Sequence, residues 1–162
     1  MNSRNHQDRS DQAGLLCFQA EKLQTLINEL VKCCEDRQTY ETQRFGLPCS
    51  EARCLLLFKD ERYLTVKCLA RRMGLAKSRV TKLISGLLDK KLVERISDPQ
   101  DTRYKLICLT RAGQDRLLEI ESFQQQIFTD LLSRLSPEDR DHALFHLEKI
   151  RDSMEAVKRT LE

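Results

Sequence analysis

A chain of 162 residues with 40% hydrophobic residues is long enough for one core and too apolar for global disorder. It has no Trp and only 5 Gly and 3 Pro, which favours long helices over a many-turned β fold. The longest apolar run, CLLLF at Cys54–Phe58, is far too short for a membrane span.

The net charge of +3 conceals a basic middle. Ser50 to Gly113 holds 15 Lys/Arg against 7 Asp/Glu, and the remainder holds 13 against 18. A basic segment between acidic flanks is the footprint of a module that meets a polyanion.

In chain order, residues 1–14 (MNSRNHQDRSDQAG) have no apolar stretch of signal-peptide type and read as a disordered tail, which places the chain in the cytoplasm. A helix follows over 15–47. Leu16, Ala20, Leu23, Ile27, Leu30 and Cys34 recur at steps of three and four along one face, and Gly46 with Pro48 is a stop signal. A short helix over Ser50–Lys59 turns Ala52, Leu55 and Leu56 inward.

The informative segment is LTVKCLARRMGLAKSRVTKLISGLLDKKLV, Leu64 to Val93. Thr65 is a helix N-cap, Val66, Leu69, Ala70 and Met73 form an apolar face, and Gly74 ends the helix. A second helix opens near Lys77 with Val80, Leu83, Ile84, Leu87 and Leu88 at core spacing. Two short helices joined by a Gly-containing turn make a helix-turn-helix. Lys77, Ser78, Arg79, Thr81, Lys82 and Ser85 stay on the outer face of the second helix, the part that reaches base edges when such a helix enters a major groove.

Next come two alternating runs, LVERI and RYKLICLT, joined by SDPQDT with its turn-forming Pro and Asp. A hairpin appended to a helix-turn-helix is a winged helix. From Thr110 the chain returns to helix, and Ser136-Pro137-Glu138-Asp139 is a second helix start. The expected fold is therefore mainly α with a small antiparallel β-wing. Its parts are the tail (1–14), an N-terminal dimerisation helix (15–47), a DNA-binding winged helix-turn-helix (48–112) and C-terminal dimerisation helices (113–162). The terminal helices carry apolar stripes that need cover, and a second copy of the chain is the economical cover.

The order of elements and their residues resembles the MarR family of transcriptional regulators from about Leu15 to the C-terminus. The most specific part is Leu64 to Gln114, with D-P-x-D-x-R at Asp98–Arg103 and L-T-x-x-G at Leu109–Gly113. The resemblance implies a homodimeric winged helix that docks two recognition helices on a pseudo-palindromic double-stranded operator, usually as a repressor. It also implies a small-molecule or redox input that changes DNA affinity.

At the wing tip, an arginine can enter a narrow minor groove where the negative potential is deepest. Arg103 takes that role in our reading. Asp101, two residues away and on the same strand face, orients the guanidinium through a bidentate pair. Asp98 closes the turn, with Pro99 fixing φ at the next position.

The input leaves weaker marks. Cys17, in LLCF, resembles the sensing cysteine of the organic-hydroperoxide branch of the family (OhrR), which lowers its thiol pKa with tyrosines; here the first helix offers only Tyr40, late in its span. A buried structural cysteine is the preferred reading for Cys17, and most of the seven thiols read as small buried hydrophobes. Neither Cys33–Cys34 nor Cys49–Cys54 has a strong zinc spacing, and His142 with His146 supplies too few ligands, so no metal or cofactor is expected. No catalytic triad, phosphate loop or carboxylate pair stands out, which speaks against an enzyme. The alternative reading is a winged helix that binds protein, or nucleic acid without sequence preference.

Overall fold

A computed structural model describes the backbone of residues 3–97 and 105–161 and the side chains of residues 12–97 and 105–161. The element order is α1 (Ser3–Phe45), α2 (Cys49–Leu56), β1 (Leu64–Thr65), α3 (Val66–Met73), α4 (Lys77–Asp89), β2 (Val93–Ser97), β3 (Lys105–Leu109), α5 (Arg111–Ser133) and α6 (Pro137–Arg159). The three strands form one antiparallel sheet in the order β1-β3-β2. The fold is thus mainly α with a small wing, as expected.

The core lies inside the winged helix. Leu55 of α2, Leu69 of α3, Val80, Ile84 and Leu87 of α4, Ile107 of β3 and Ile120 of α5 are fully buried together. Each comes from the apolar stripe of its own element, so helical and strand periodicities converge on a single cluster.

The helix-turn-helix is fixed by its caps. Thr65 Oγ1 accepts from the Cys68 N–H at 3.1 Å, and Gly74 ends α3 at φ +65°. Thr65 also belongs to β1, where it faces Leu106 of β3, while Leu64 faces Ile107. The start of α3 is therefore hooked to the central strand of the sheet. Sequence periodicity gives two strands, because a third of only two residues is too short to carry an alternating pattern.

The α4–β2 junction is unusually tight. Leu92 N–H donates to Leu87 O at 2.9 Å and Lys91 N–H to Leu88 O at 2.8 Å, a Schellman pattern, with Leu87 and Leu92 both buried. The left-handed residue this requires is Lys91, at φ +57°, where glycine is usual. Thr110 locks the turn from the far side: Oγ1 donates to Lys91 O at 2.7 Å and accepts from the Gly113 N–H at 3.0 Å, capping α5. The first turn of α5 then passes so close that a Cβ on Gly113 would lie 1.8 Å from Leu92 O.

Near the middle of α5, the C-terminal third of α1 is pinned by an aromatic cluster. Phe123 stacks on Tyr40 at 5.8 Å and meets Phe45 edge-on at 5.5 Å, with the Arg44 guanidinium 4.6 Å over its ring. Gln124 donates to the buried Glu41 carboxylate at 3.3 Å, and Arg116 donates to Phe45 O, closing the end of α1.

Three expectations need correction. The tail over 1–14 was expected to be disordered, yet α1 starts at Ser3; the segment has no Pro, and its one Gly, Gly14, sits in open space in the helix. The short second helix ends at Leu56 instead of running to Lys59. The cysteines are not mostly buried: Cys54 and Cys108 are, Cys49 and Cys68 are half-buried, and Cys17, Cys33 and Cys34 are exposed on α1. Cys17 is thus no buried structural thiol within the chain, because its stretch of α1 has no intrachain cover.

Substitutions at the junction should act with opposite signs. Gly113→Ala forces a methyl into the Leu92 carbonyl and should cost about 3 kcal/mol in urea unfolding. Lys91→Gly removes the left-handed strain and should stabilise by up to about 1 kcal/mol in the same assay.

Candidate nucleic-acid interface

Helix α4 begins at Lys77 after Ala76, and its first turn contains no acid. Its inner face is anchored by Val80, Ile84 and Leu87. All six outer-face residues named from the sequence, Lys77, Ser78, Arg79, Thr81, Lys82 and Ser85, are exposed. Lys77, Thr81 and Ser85 follow one i, i+4 ridge, and Ser78 and Lys82 the adjacent one, so five side chains share a continuous face with Arg79 at its edge.

Two of the three hydroxyls on this face, those of Thr81 and Ser85, already have partners. Thr81 Oγ1 donates to Lys77 O at 2.9 Å and Ser85 Oγ donates to Thr81 O at 3.0 Å. With their protons directed back into the helix, both oxygens present lone pairs outward and suit base-edge donors such as the amino groups of cytosine or adenine. Lys77, Arg79 and Lys82 supply the matching donors for guanine edges and phosphates.

Supporting cations surround the helix. Arg71 and Arg72 occupy the last turn of α3, and Arg72 is committed to an ion pair with Glu61 that holds α3 to the α2–β1 connection. Arg95 on β2 and Lys105 on β3 are exposed, and Lys105 Nζ donates to Ser97 Oγ at 2.8 Å across the strand pair. Arg71, Arg95 and Lys105 were not singled out from sequence, since the strand register that brings Arg95 and Lys105 to one side of the molecule is not legible in a single sequence. Arg103 and Asp101, with Asp98 and Pro99, lie outside the described residues.

A model of the MarR family matches residues 45–103. That segment of the winged helix is similar to the MarR family. Its similarity to single proteins is distant but broad. The HTH-type transcriptional regulator SarZ of Staphylococcus haemolyticus is 24% identical over 135 residues, 83% of this chain and 86% of SarZ. Among solved structures, S. aureus MepR in complex with DNA is 25% identical, with a TM-score of 0.63 over 80% of this chain and 95% of MepR. Streptococcus pneumoniae FabT in complex with DNA is 16% identical, with a TM-score of 0.73 over 83% and 98% of the two chains; at that identity it speaks for the fold alone. The matched segment covers α2 to β2, and so contains α4 and the first long strand of the wing.

No described helix is long and apolar enough to cross a membrane. Among the described residues no three His, Cys, Asp or Glu cluster as metal ligands, and His142 and His146 are both exposed on α6.

The thiols differ sharply in setting. Burial, reinforced by the nearby Glu51 carboxylate, pushes Cys54 up to about 12. Burial and then its bond to Glu94 raise Cys108 as well, with Sγ 3.5 Å from Glu94 Oε1. Both are held as neutral thiols near pH 8 and should resist a disulfide reagent such as DTNB until the protein unfolds. Mass-spectrometric mapping of a brief reaction should find them unmodified; rapid labelling of Cys54 in folded protein would contradict the packing.

Proposed function

We propose that the chain is a sequence-specific double-stranded DNA-binding regulator that acts as a homodimer, in the repressor mode usual for its family. The observation that carries this is α4: a helix anchored by its apolar face, presenting six exposed polar and basic residues, inside a MarR-family winged helix whose segment carries most of the positive charge. In this reading Ser78, Thr81, Lys82 and Ser85 meet base edges, and Lys77 and Arg79 meet phosphates or guanines. Arg103 enters the flanking minor groove with Asp101 aiming it. The MepR–DNA complex supports the partner class by similarity.

The dimer is supported by apolar surface. No residue of α6 is buried within the chain, and Leu144, Leu147, Met154 and Val157 face solvent there, as does Leu161 just beyond it. On α1, Leu16 is 66% exposed and Leu30 57% exposed. Two long helices with uncovered apolar stripes are what a second copy would bury. A two-fold dimer presents two α4 helices and therefore reads two related half-sites about one helical turn apart.

For the signal, a cleft of about 720 Å³ between α1 and α5 is lined by Arg44, Phe45, Arg116 and Phe123 among others. Guanidinium groups beside aromatic rings suit an organic anion such as an aromatic carboxylate. Cys17 is the second candidate input, favoured by its exposure: its thiolate would be oxidised by an organic hydroperoxide to sulfenic acid, releasing the alcohol.

Binding to the protein's own promoter DNA should exceed binding to a scrambled duplex by at least about a thousandfold, with a steep salt dependence. Equal affinities would leave the non-specific or protein-binding alternative. Arg103→Ala should weaken promoter binding by about 1–3 kcal/mol, and Lys82→Ala by a similar amount. Light scattering at micromolar concentration should give a dimer mass.

A further inference from the structure

Glu41 and Glu51 are the buried charged side chains among the described residues. Glu41 ties α1 to α5 and is accounted for above. Glu51 sits in the first turn of α2, and its carboxylate reaches across to the C-terminal end of α4. Its two oxygens lie 3.0 and 3.3 Å from Lys90 Nζ, and the same ammonium is 3.5 Å from Gly86 O, within the last turn of α4.

Glycine at residue 86 leaves room for the carboxylate in this position. A Cβ there would stand 2.4 Å from Glu51 Oε1. The carboxylate therefore lies against the backbone of α4, where a side chain would hold it away. Gly86 follows Ser85 directly and is four residues, one turn, beyond Lys82.

An ion pair between a buried Glu51 and an exposed Lys90 adds little net stability, because solvent screens the ammonium and desolvating the carboxylate offsets the attraction. What it supplies is direction. Apolar contacts through Ala52, Leu55, Ile84 and Leu87 permit small rotations and slides of α4 on α2, whereas an ion pair seated on a bare stretch of backbone favours one arrangement.

We propose that Glu51 is a positioning residue for the DNA-reading helix: with Lys90 and Gly86 it sets the pitch of α4, and so which bases Ser78, Lys82 and Ser85 reach. The proposal rests on the regulator reading above. It assigns to α2 a part in specificity without any contact to DNA.

The test is the double variant Glu51→Leu/Lys90→Leu. It removes one charge of each sign, so the net charge and the non-specific attraction to phosphates are kept. Affinities for the promoter duplex and for a scrambled duplex of the same length and composition are measured, with circular dichroism and thermal unfolding as controls. The expected result is a folded protein of wild-type or higher melting temperature, unchanged scrambled-duplex affinity, and a promoter preference reduced about tenfold. A folded variant with the wild-type preference overturns the proposal. So does a parallel loss of both affinities with a lowered melting temperature, which marks a purely structural role. If the leucine pair does not fold, Gly86→Ala decides. Alanine raises helix propensity but displaces the carboxylate, so the preference should fall while the helix content holds; a retained preference overturns the proposal. If the wild type itself shows no promoter preference, the regulator reading fails and the positioning role falls with it.

Discussion

The hydroxyl of Thr110 holds this winged helix together. One oxygen donates to the carbonyl of Lys91, where α4 ends in a left-handed turn, and accepts from Gly113, where α5 begins. Helix α4, the two long strands of the wing and α5 therefore meet within a few ångströms. Gly113 completes the junction, since no other residue lets α5 pass the Leu92 carbonyl at that distance. The L-T-x-x-G motif is thus a geometric requirement: a donor-acceptor hydroxyl, then a missing side chain three residues later.

From that junction the rest of the arrangement follows. The wing cannot swing independently of α4, because only three residues separate α4 from β2 and β3 runs straight into the Thr110 cap. On the opposite side, β1 ties the sheet to the first turn of α3 through Thr65. The helix-turn-helix and the wing therefore form one rigid reading head. The same rigidity passes through α5, whose middle carries Phe123 into the Tyr40–Phe45–Phe123 cluster at the end of α1. In the proposed reading, a ligand in the α1–α5 cleft would act on the seat of this unit, and a small displacement there would carry to α4 as a rigid movement.

Much of this was legible in the sequence. Thr65, Gly74 and Ser136 announce their helix ends, and the apolar spacing from Val80 to Leu88 orients α4 well enough to name its outer face. Those signals are local, and local chemistry survives folding. What escaped notice depends on contacts between distant residues. A two-residue strand has no periodicity, a left-handed Lys91 has no composition signal, and a buried Glu51 looks like any helix-starting acid until Gly86 is set beside it. The exposure of the α1 thiols is equally illegible, because residue type points to burial whereas most of that helix is uncovered within one chain. The wing tip, where Arg103 and Asp101 carry the minor-groove reading, lies outside the described residues and stands on the sequence alone.

The central claim is that two rigid reading heads, related by two-fold symmetry, address one face of a duplex. Its most direct test is a hydroxyl-radical footprint of the protein on its own promoter DNA. The account predicts protected blocks related by a two-fold axis on the two strands, centred about one helical turn (10–10.5 base pairs) apart and flanked by minor-groove protection from the wings. A single unpaired block, or uniform protection without phase, would contradict it.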